Sequence, residues 1–70
     1  MSELKSNMAG SIWKVVVNEG EQVEEGQVIV ILESMKMEIP IEAEKAGIVK
    51  SMNVSEGDFV NEGDIIATIE

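Results

Sequence analysis

Sliding the chain against itself by 37 residues lays residues 9–33 on residues 46–70. Ala9-Gly10 falls on Ala46-Gly47, Val17 on Val54, Glu19-Gly20 on Glu56-Gly57, Val23 on Val60, Glu25-Gly26 on Glu62-Gly63, and Glu33 on Glu70. The matches sit on turn glycines and core valines, the positions a fold depends on, so the chain is a doubled unit. Solenoids need three or more repeats to bury their faces. Two repeats predict a closed body with approximate two-fold symmetry.

Each half reads as strand, turn, short connection, strand. Ile12, Val15 and Val17 recur as Val49, Met52 and Val54. Their spacing of three then two breaks strict alternation and predicts a bulge or bend in the first strand of each half. The phrase Glu-Gly-x-x-Val-x-x-Gly follows in both halves. Its glycines at 20, 26, 57 and 63 suit positive φ or close backbone approach, and Val23 and Val60 plug the core between them. Residues 28–32 and 65–69 are continuous apolar strands, and β-branched runs with frequent glycines disfavour helix throughout. The expectation is an all-β sandwich or flattened barrel over residues 8–70, preceded by a short lead at 1–7.

Composition narrows the chemistry. Ordering 70 residues costs on the order of 100 kcal/mol at ~1.5 kcal/mol each, so nearly every apolar side chain is needed for the core and little remains for an enclosed active site. The chain has no cysteine and no histidine. Thiol nucleophiles, imidazole bases, disulfides and the usual zinc constellations are therefore excluded, and no calcium-loop pattern or other metal site is present. Fourteen acidic residues against five lysines, a formal charge of −9, argue against nucleic acid and anionic membrane surfaces. No apolar run approaches the ~20 residues that span a bilayer, and residues 1–7 lack a signal-peptide core. A cytoplasmic protein, monomeric when alone, is expected.

The seam between the halves is the exception to the repeat. Across Leu32-Glu33-Ser34-Met35-Lys36-Met37-Glu38-Ile39-Pro40-Ile41, pairing positions that sum to 71 sets Leu32 opposite Ile39, Val30 opposite Ile41 and Val28 opposite Ala43 on one face. A sum of 72 would set Ile39 against Glu33 and spoil that face. The preferred register leaves Met35-Lys36 as a two-residue hairpin tip with Lys36 in solvent. Such turns favour Asn-Gly, Asp-Gly or a leading Gly, and Met-Lys is neither. The register also opposes Glu33 to Glu38, a like-charge pair that costs stability. Places where good local chemistry is overridden are candidates for function. Taken without its neighbours, a lysine on a hairpin is a solvated surface group, and Trp13 is half-buried packing.

At Glu33-Ser34-Met35-Lys36-Met37-Glu38 the chain resembles the biotinyl domains of biotin-dependent carboxylases and decarboxylases, and it is similar to the related lipoyl domains and to small free-standing attachment proteins. The resemblance runs over nearly the whole chain and includes Ala9-Gly10, Glu19-Gly20, Val23, Gly26, Gly47, Glu56-Gly57, Val60 and Gly63. It implies two four-stranded antiparallel sheets in a flattened barrel, with a modified lysine on an end hairpin. It further implies that Lys36 Nζ is joined by an amide to the carboxyl of biotin, and that Met35 and Met37 flank it for recognition by a biotin protein ligase. Lipoyl domains typically carry Asp-Lys-Ala there, so Met35 and Met37 favour biotin over lipoate. Ser34 departs from the alanine many biotinyl domains have, and the chain lacks room for the protruding loop of some acetyl-CoA carboxylase carriers.

The function so implied is a carrier, not an enzyme. Lysine amines are overwhelmingly protonated at pH 7, so activation falls to the ligase, which in the resembling systems presents biotin as an acyl adenylate. Once modified, the domain would carry CO₂ between the biotin carboxylase and carboxyltransferase subunits of a biotin-dependent carboxylase. A lipoyl carrier using the same lysine, or an unmodified interaction module, are the alternatives. The two-fold repeat adds a geometric expectation, that both chain ends lie opposite Lys36.

Overall fold

Four Glu-Gly pairs decide where the chain turns. The computed structural model describes residues 2–70. In the turn centred on Glu19-Gly20, the Glu21 N–H donates to the Asn18 carbonyl (3.2 Å), and in its repeat at Glu56-Gly57 the Asp58 N–H donates to the Ser55 carbonyl (3.0 Å). Gly20 and Gly57 hold φ of 91° and 93°, a region other residues reach only at a steric cost. No atom lies within 4 Å of where their Cβ atoms would stand, so the requirement is torsional. Gly26 and Gly63 repeat the arrangement at φ 85° and 90°.

Between these turns run eight strands, β1 (Ser2–Lys5), β2 (Gly10–Val15), β3 (Gln22–Val23), β4 (Val28–Ser34), β5 (Met37–Glu42), β6 (Gly47–Met52), β7 (Phe59–Val60) and β8 (Ile65–Ile69). They form two antiparallel four-stranded sheets, ordered β1-β8-β6-β3 and β5-β4-β2-β7. Adding or subtracting 37 turns one order into the other, strand for strand. The pairs follow suit: Ser2↔Ile69, Glu3↔Thr68 and Leu4↔Ala67 mirror Ile39↔Leu32, Pro40↔Ile31 and Ile41↔Val30. The sequence repeat is thus a structural two-fold, and the two-sheet body is elongated, measuring 31 × 17 × 17 Å.

The expected break in alternation is a bulge. The β2–β4 register shifts between Ile12 and Lys14, and the β6–β8 register between Val49 and Ser51. An acceptor from the other half serves each shifted strand. The Glu19 carboxylate accepts from the Met52 N–H (2.9 Å) and the Glu56 carboxylate accepts from the Val15 N–H (3.3 Å). Glu19 and Glu56 therefore clasp the two halves together as well as occupying turn positions. The valines of the phrase are buried as expected, Val23 at 0% and Val60 at 3% exposure.

Two expectations are corrected. Val28 lies opposite Glu42, not Ala43, because the β4–β5 register shifts between Val28 and Val30. The extra residue turns Ile29 and Val30 inward together, and both are fully buried, as are their mates Ile66 and Ala67. This is why residues 28–32 read as a continuous apolar run. The other correction concerns residues 1–7, read as a lead. Ser2–Lys5 is the edge strand β1, its Leu4 belongs to the core, and the following turn closes through Ser6, whose N–H donates to the Asp64 carbonyl (2.9 Å). A four-residue strand whose partner is more than sixty positions away leaves little local signal.

Ser2 and Glu70 share a shallow cleft with Lys45 and Ala46, and Glu70 exchanges two backbone hydrogen bonds with Ile48 (2.9 and 2.8 Å). β5 carries the chain from the seam hairpin toward that region over six residues, roughly 20 Å at ~3.4 Å per residue. Both described ends therefore sit at the opposite end of the body from Lys36. Among the described residues no helix is long and apolar enough to cross a membrane.

Candidate functional site

The seam folds as a hairpin because both strands bring an apolar face to the core. Leu32↔Ile39, Glu33↔Glu38 and Ser34↔Met37 continue the pairing that sums to 71, and Met35-Lys36 is the two-residue turn. Leu32 is fully buried and Ile39 packs against the core. A one-residue slip would turn these side chains to water. The ladder is thus held by burial below the tip, and the tip takes the conformation the ladder leaves it.

That conformation is left-handed at both central residues, with φ of 52° at Met35 and 65° at Lys36. Positive φ at both positions defines a type I′ turn, whose twist matches that of the flanking strands. For side chains larger than glycine each such residue costs on the order of 1 kcal/mol. No other non-glycine residue described has positive φ. Gly10 supports the hairpin from beside it, since a Cβ there would stand 2.7 Å from the Glu33 carbonyl oxygen and 3.0 Å from Leu32. The absent side chain lets β2 close against the base of the tip.

The three residues singled out from the sequence come together at the apex. Met35 is 88% exposed and Met37 57% exposed, so neither fills the core. Lys36 is exposed between them, and among the described residues no side chain or backbone group gives its amine a hydrogen-bond or ion-pair partner. Glu33 and Glu38 face each other one ladder step below the Ser34–Met37 pair, both exposed. Among the described residues no group of acidic side chains is arranged to hold a metal ion. The apex offers one primary amine, two flexible thioethers and a pair of carboxylates beneath.

Sequence reasoning missed the support beneath this tip. Gly10 was visible as one of the repeated glycines, and its role needed the position of Glu33 to become apparent. The clasping bonds of Glu19 and Glu56 span 33 and 41 residues, and only their recurrence in both halves hinted at them.

Comparison with known proteins agrees with this geometry. A family model described as Biotin_lipoyl, biotin-requiring enzyme, matches residues 2–69. The chain is 65% identical over 43 residues to the biotin/lipoyl attachment protein of Bacillus subtilis (strain 168), a stretch covering 61% of this chain and 59% of that one. It is 51% identical over 47 residues to the biotinylated protein TB7.3 homolog of Mycobacterium leprae (strain TN), covering 67% of this chain and 66% of the relative. The match spans less than two thirds of either relative. The crystal structure of Kluyveromyces lactis urea carboxylase contains the same fold at TM-score 0.93 and 38% identity, over 99% of this chain and 6% of that one. The chain belongs to the Biotin_lipoyl family and is a biotin/lipoyl attachment domain similar to the biotin-bearing domains of carboxylases.

Proposed function

We propose that Lys36 is the attachment lysine and that the domain is a biotin carboxyl carrier. The observation that carries this reading is an exposed lysine, without a partner among the described residues, at the apex of a type I′ turn formed at its own steric cost. A surface lysine serving solubility alone gives no reason to retain that backbone. The name of the Mycobacterium leprae relative, a biotinylated protein homolog, and the likeness to a urea carboxylase support biotin and a carboxylase setting.

In the proposed modification the unprotonated Nζ of Lys36 attacks the carboxyl carbon of a biotinyl adenylate held by a biotin protein ligase. The new C–N amide bond forms, the acyl–phosphate bond breaks, AMP departs and Nζ gives up a proton. Met35 and Met37 flank the amine as adaptable apolar contacts for the ligase. The attached biotin supplies a ureido nitrogen that accepts CO₂ at a biotin carboxylase site and yields it at a carboxyltransferase site. The protein contributes the tether. Lysine and biotin chains together make about ten single bonds, a reach on the order of 15 Å at ~1.5 Å per bond. The stiff ladder under the turn aims this arm away from the body, and tethering raises its effective concentration at each partner.

Intact-mass analysis and peptide mapping after incubation with biotin, ATP and a purified biotin protein ligase test the assignment. One biotinyl group on Lys36, absent in Lys36→Arg, is the expected result. A bare Lys36, or biotin on another lysine, overturns it. Lipoate on the same amine is the second reading, favoured by the name of the Bacillus subtilis relative, a biotin/lipoyl attachment protein. It predicts acylation in a parallel incubation with a purified lipoate ligase.

A further inference from the structure

The internal two-fold supplies a control for the surface. Where both are described, positions on the outer face of the hairpin-bearing sheet have mates, 37 residues away, on the outer face of the other sheet. Residues at mated positions meet the same backbone demands, so a consistent difference in their chemistry reports something other than folding.

The difference is consistent at four places. On the hairpin-bearing sheet, Ser11 pairs with both Phe59 and Glu33, and Glu33 pairs with Glu38. One step further from the tip, the bulged Trp13 and Lys14 oppose Ile31, which pairs with Pro40. Trp13, Ile31, Pro40 and Phe59 thus line one outer face beside the tip. Trp13 is 48% and Phe59 64% exposed. Their mates on the other sheet are Lys50, Thr68, Glu3 and Gln22. One exchange runs the other way, with Ser11 matched by Ile48. An apolar cluster that the same fold replaces with polar groups on its twin face is not required by the barrel, and such clusters mark contact surfaces.

Charge differs too. Leaving Lys36 aside, exposed Glu33, Glu38 and Glu42 stand against Lys14 on the hairpin-bearing sheet, whereas Glu3 and Glu70 balance Lys5 and Lys50 on the other. Lys14 lies over the Trp13 ring, Nζ 5.9 Å from its centre, so that ring already accepts a cation. The face is therefore apolar at its centre and acidic along β4 and β5. A second copy of this chain would oppose carboxylates to carboxylates, which disfavours it as the occupant.

We infer that this outer face is the docking surface for the biotin protein ligase, through a complementary patch of apolar side chains bordered by lysine or arginine; the inference rests on the reading that Lys36 is acylated. Proximity selects the ligase. An unmodified lysine reaches only ~6 Å from its backbone, so an enzyme that acylates it must close on the body within a few residues of the tip. Glu33 and Ile31 stand two and four residues before Met35 on β4. A partner served by the finished arm gains about 15 Å of reach and has no such need of this face.

The fold itself supplies the test variant, because each replacement already occurs at the mated position. Trp13→Lys, Ile31→Thr, Pro40→Glu and Phe59→Gln are combined in one chain, with Gln22→Phe and Thr68→Ile on the opposite face as the control. Biotinylation of Lys36 is timed by intact mass with purified biotin protein ligase, biotin and ATP, and folding is followed by thermal melting. The four-residue exchange is expected to lower kcat/KM about tenfold or more, chiefly through KM, with a cooperative melt retained. The control pair is expected to stay at the wild-type value, and added salt to lower kcat/KM of both the wild type and the exchange variant, since both keep Glu33, Glu38 and Glu42.

Wild-type kcat/KM in the exchange variant, or an equal loss in the control, overturns the inference. So does a dimer in sedimentation that the exchange converts to monomer, since a second copy would then be the occupant. Should the four changes spoil the melt, Phe59→Gln and Trp13→Lys singly, both at exposed positions, are expected to lower kcat/KM about threefold each, and unchanged values overturn it equally. A wild-type chain that is never acylated at Lys36 overturns the attachment reading itself, an outcome distinct from any difference between variants.

Discussion

Among the described residues five turns use positive φ, and they divide into two kinds. Four are Glu-Gly turns, in which Gly20, Gly26, Gly57 and Gly63 take φ of 85–93° where any Cβ would be strained. The fifth, at the seam, puts Met35 and Lys36 into the left-handed region instead. Both kinds reverse the chain between strands, and glycine or asparagine would do so more cheaply at the seam. The contrast teaches that at the four Glu-Gly turns the backbone demands the glycine it has, whereas at the fifth two larger side chains stand where the backbone favours glycine. On the proposed attachment reading, the function lies where the cheaper residue is absent.

Substitutions can break or sharpen that contrast, and the largest effect is expected at Lys36. Lys36→Arg keeps the charge but offers a guanidinium in place of a primary amine. Acylation should vanish in the mass spectrum, while the unfolding midpoint shifts by no more than about 0.5 kcal/mol equivalent. Gly57→Val tests the other kind of turn, where a β-branched residue is forced to φ 93°. Urea denaturation is expected to show a loss of about 2 kcal/mol with the rate of modification per folded molecule little changed.

Met35→Asn should separate the two demands made on one residue. Asparagine tolerates left-handed φ, so stability should rise by about 0.5 kcal/mol while kcat/KM for biotinylation falls severalfold. A stable variant modified at full speed would show that Met35 is not retained for the ligase. The smallest effect belongs to the like-charge pair. Glu38→Gln should raise stability by a few tenths of a kcal/mol at low ionic strength, and a melt in high salt should erase the gain.

Much of the fold was legible because its determinants are local or duplicated. The glycine turns announced themselves through residue type, and the bulges through a spacing repeated at Ile12-Val15-Val17 and Val49-Met52-Val54. The hairpin register followed from Leu32 and Ile39 needing the same face. β1 escaped notice since Ser2–Lys5 has little to mark it as a strand apart from its pairing with β8. The shift that sets Val28 against Glu42 was hidden for a related reason. An apolar run of 28–32 fits either simple alternation or a bulge, and only packing between the sheets selects the arrangement that buries Ile29 and Val30 together.

The candidate site was legible for a different reason. Lys36 occupies the seam between two copies, where the repeat has no counterpart and the turn chemistry is wrong for its backbone. Its neighbours on the hairpin-bearing face were not, for Trp13, Ile31, Pro40 and Phe59 lie far apart along the chain and meet only when β5, β4, β2 and β7 align.

By itself the sequence determined the doubling, the turns, the hairpin and the odd lysine at its tip, because torsional preference and side-chain alternation act between near neighbours. Tertiary structure alone decided that Ser2–Lys5 closes a sheet, that Glu19 and Glu56 bind across the halves, and that one outer face is apolar where its twin is polar. Each of these joins positions separated by tens of residues, and the reason they meet is burial shared between two sheets, a property no local stretch of chain contains.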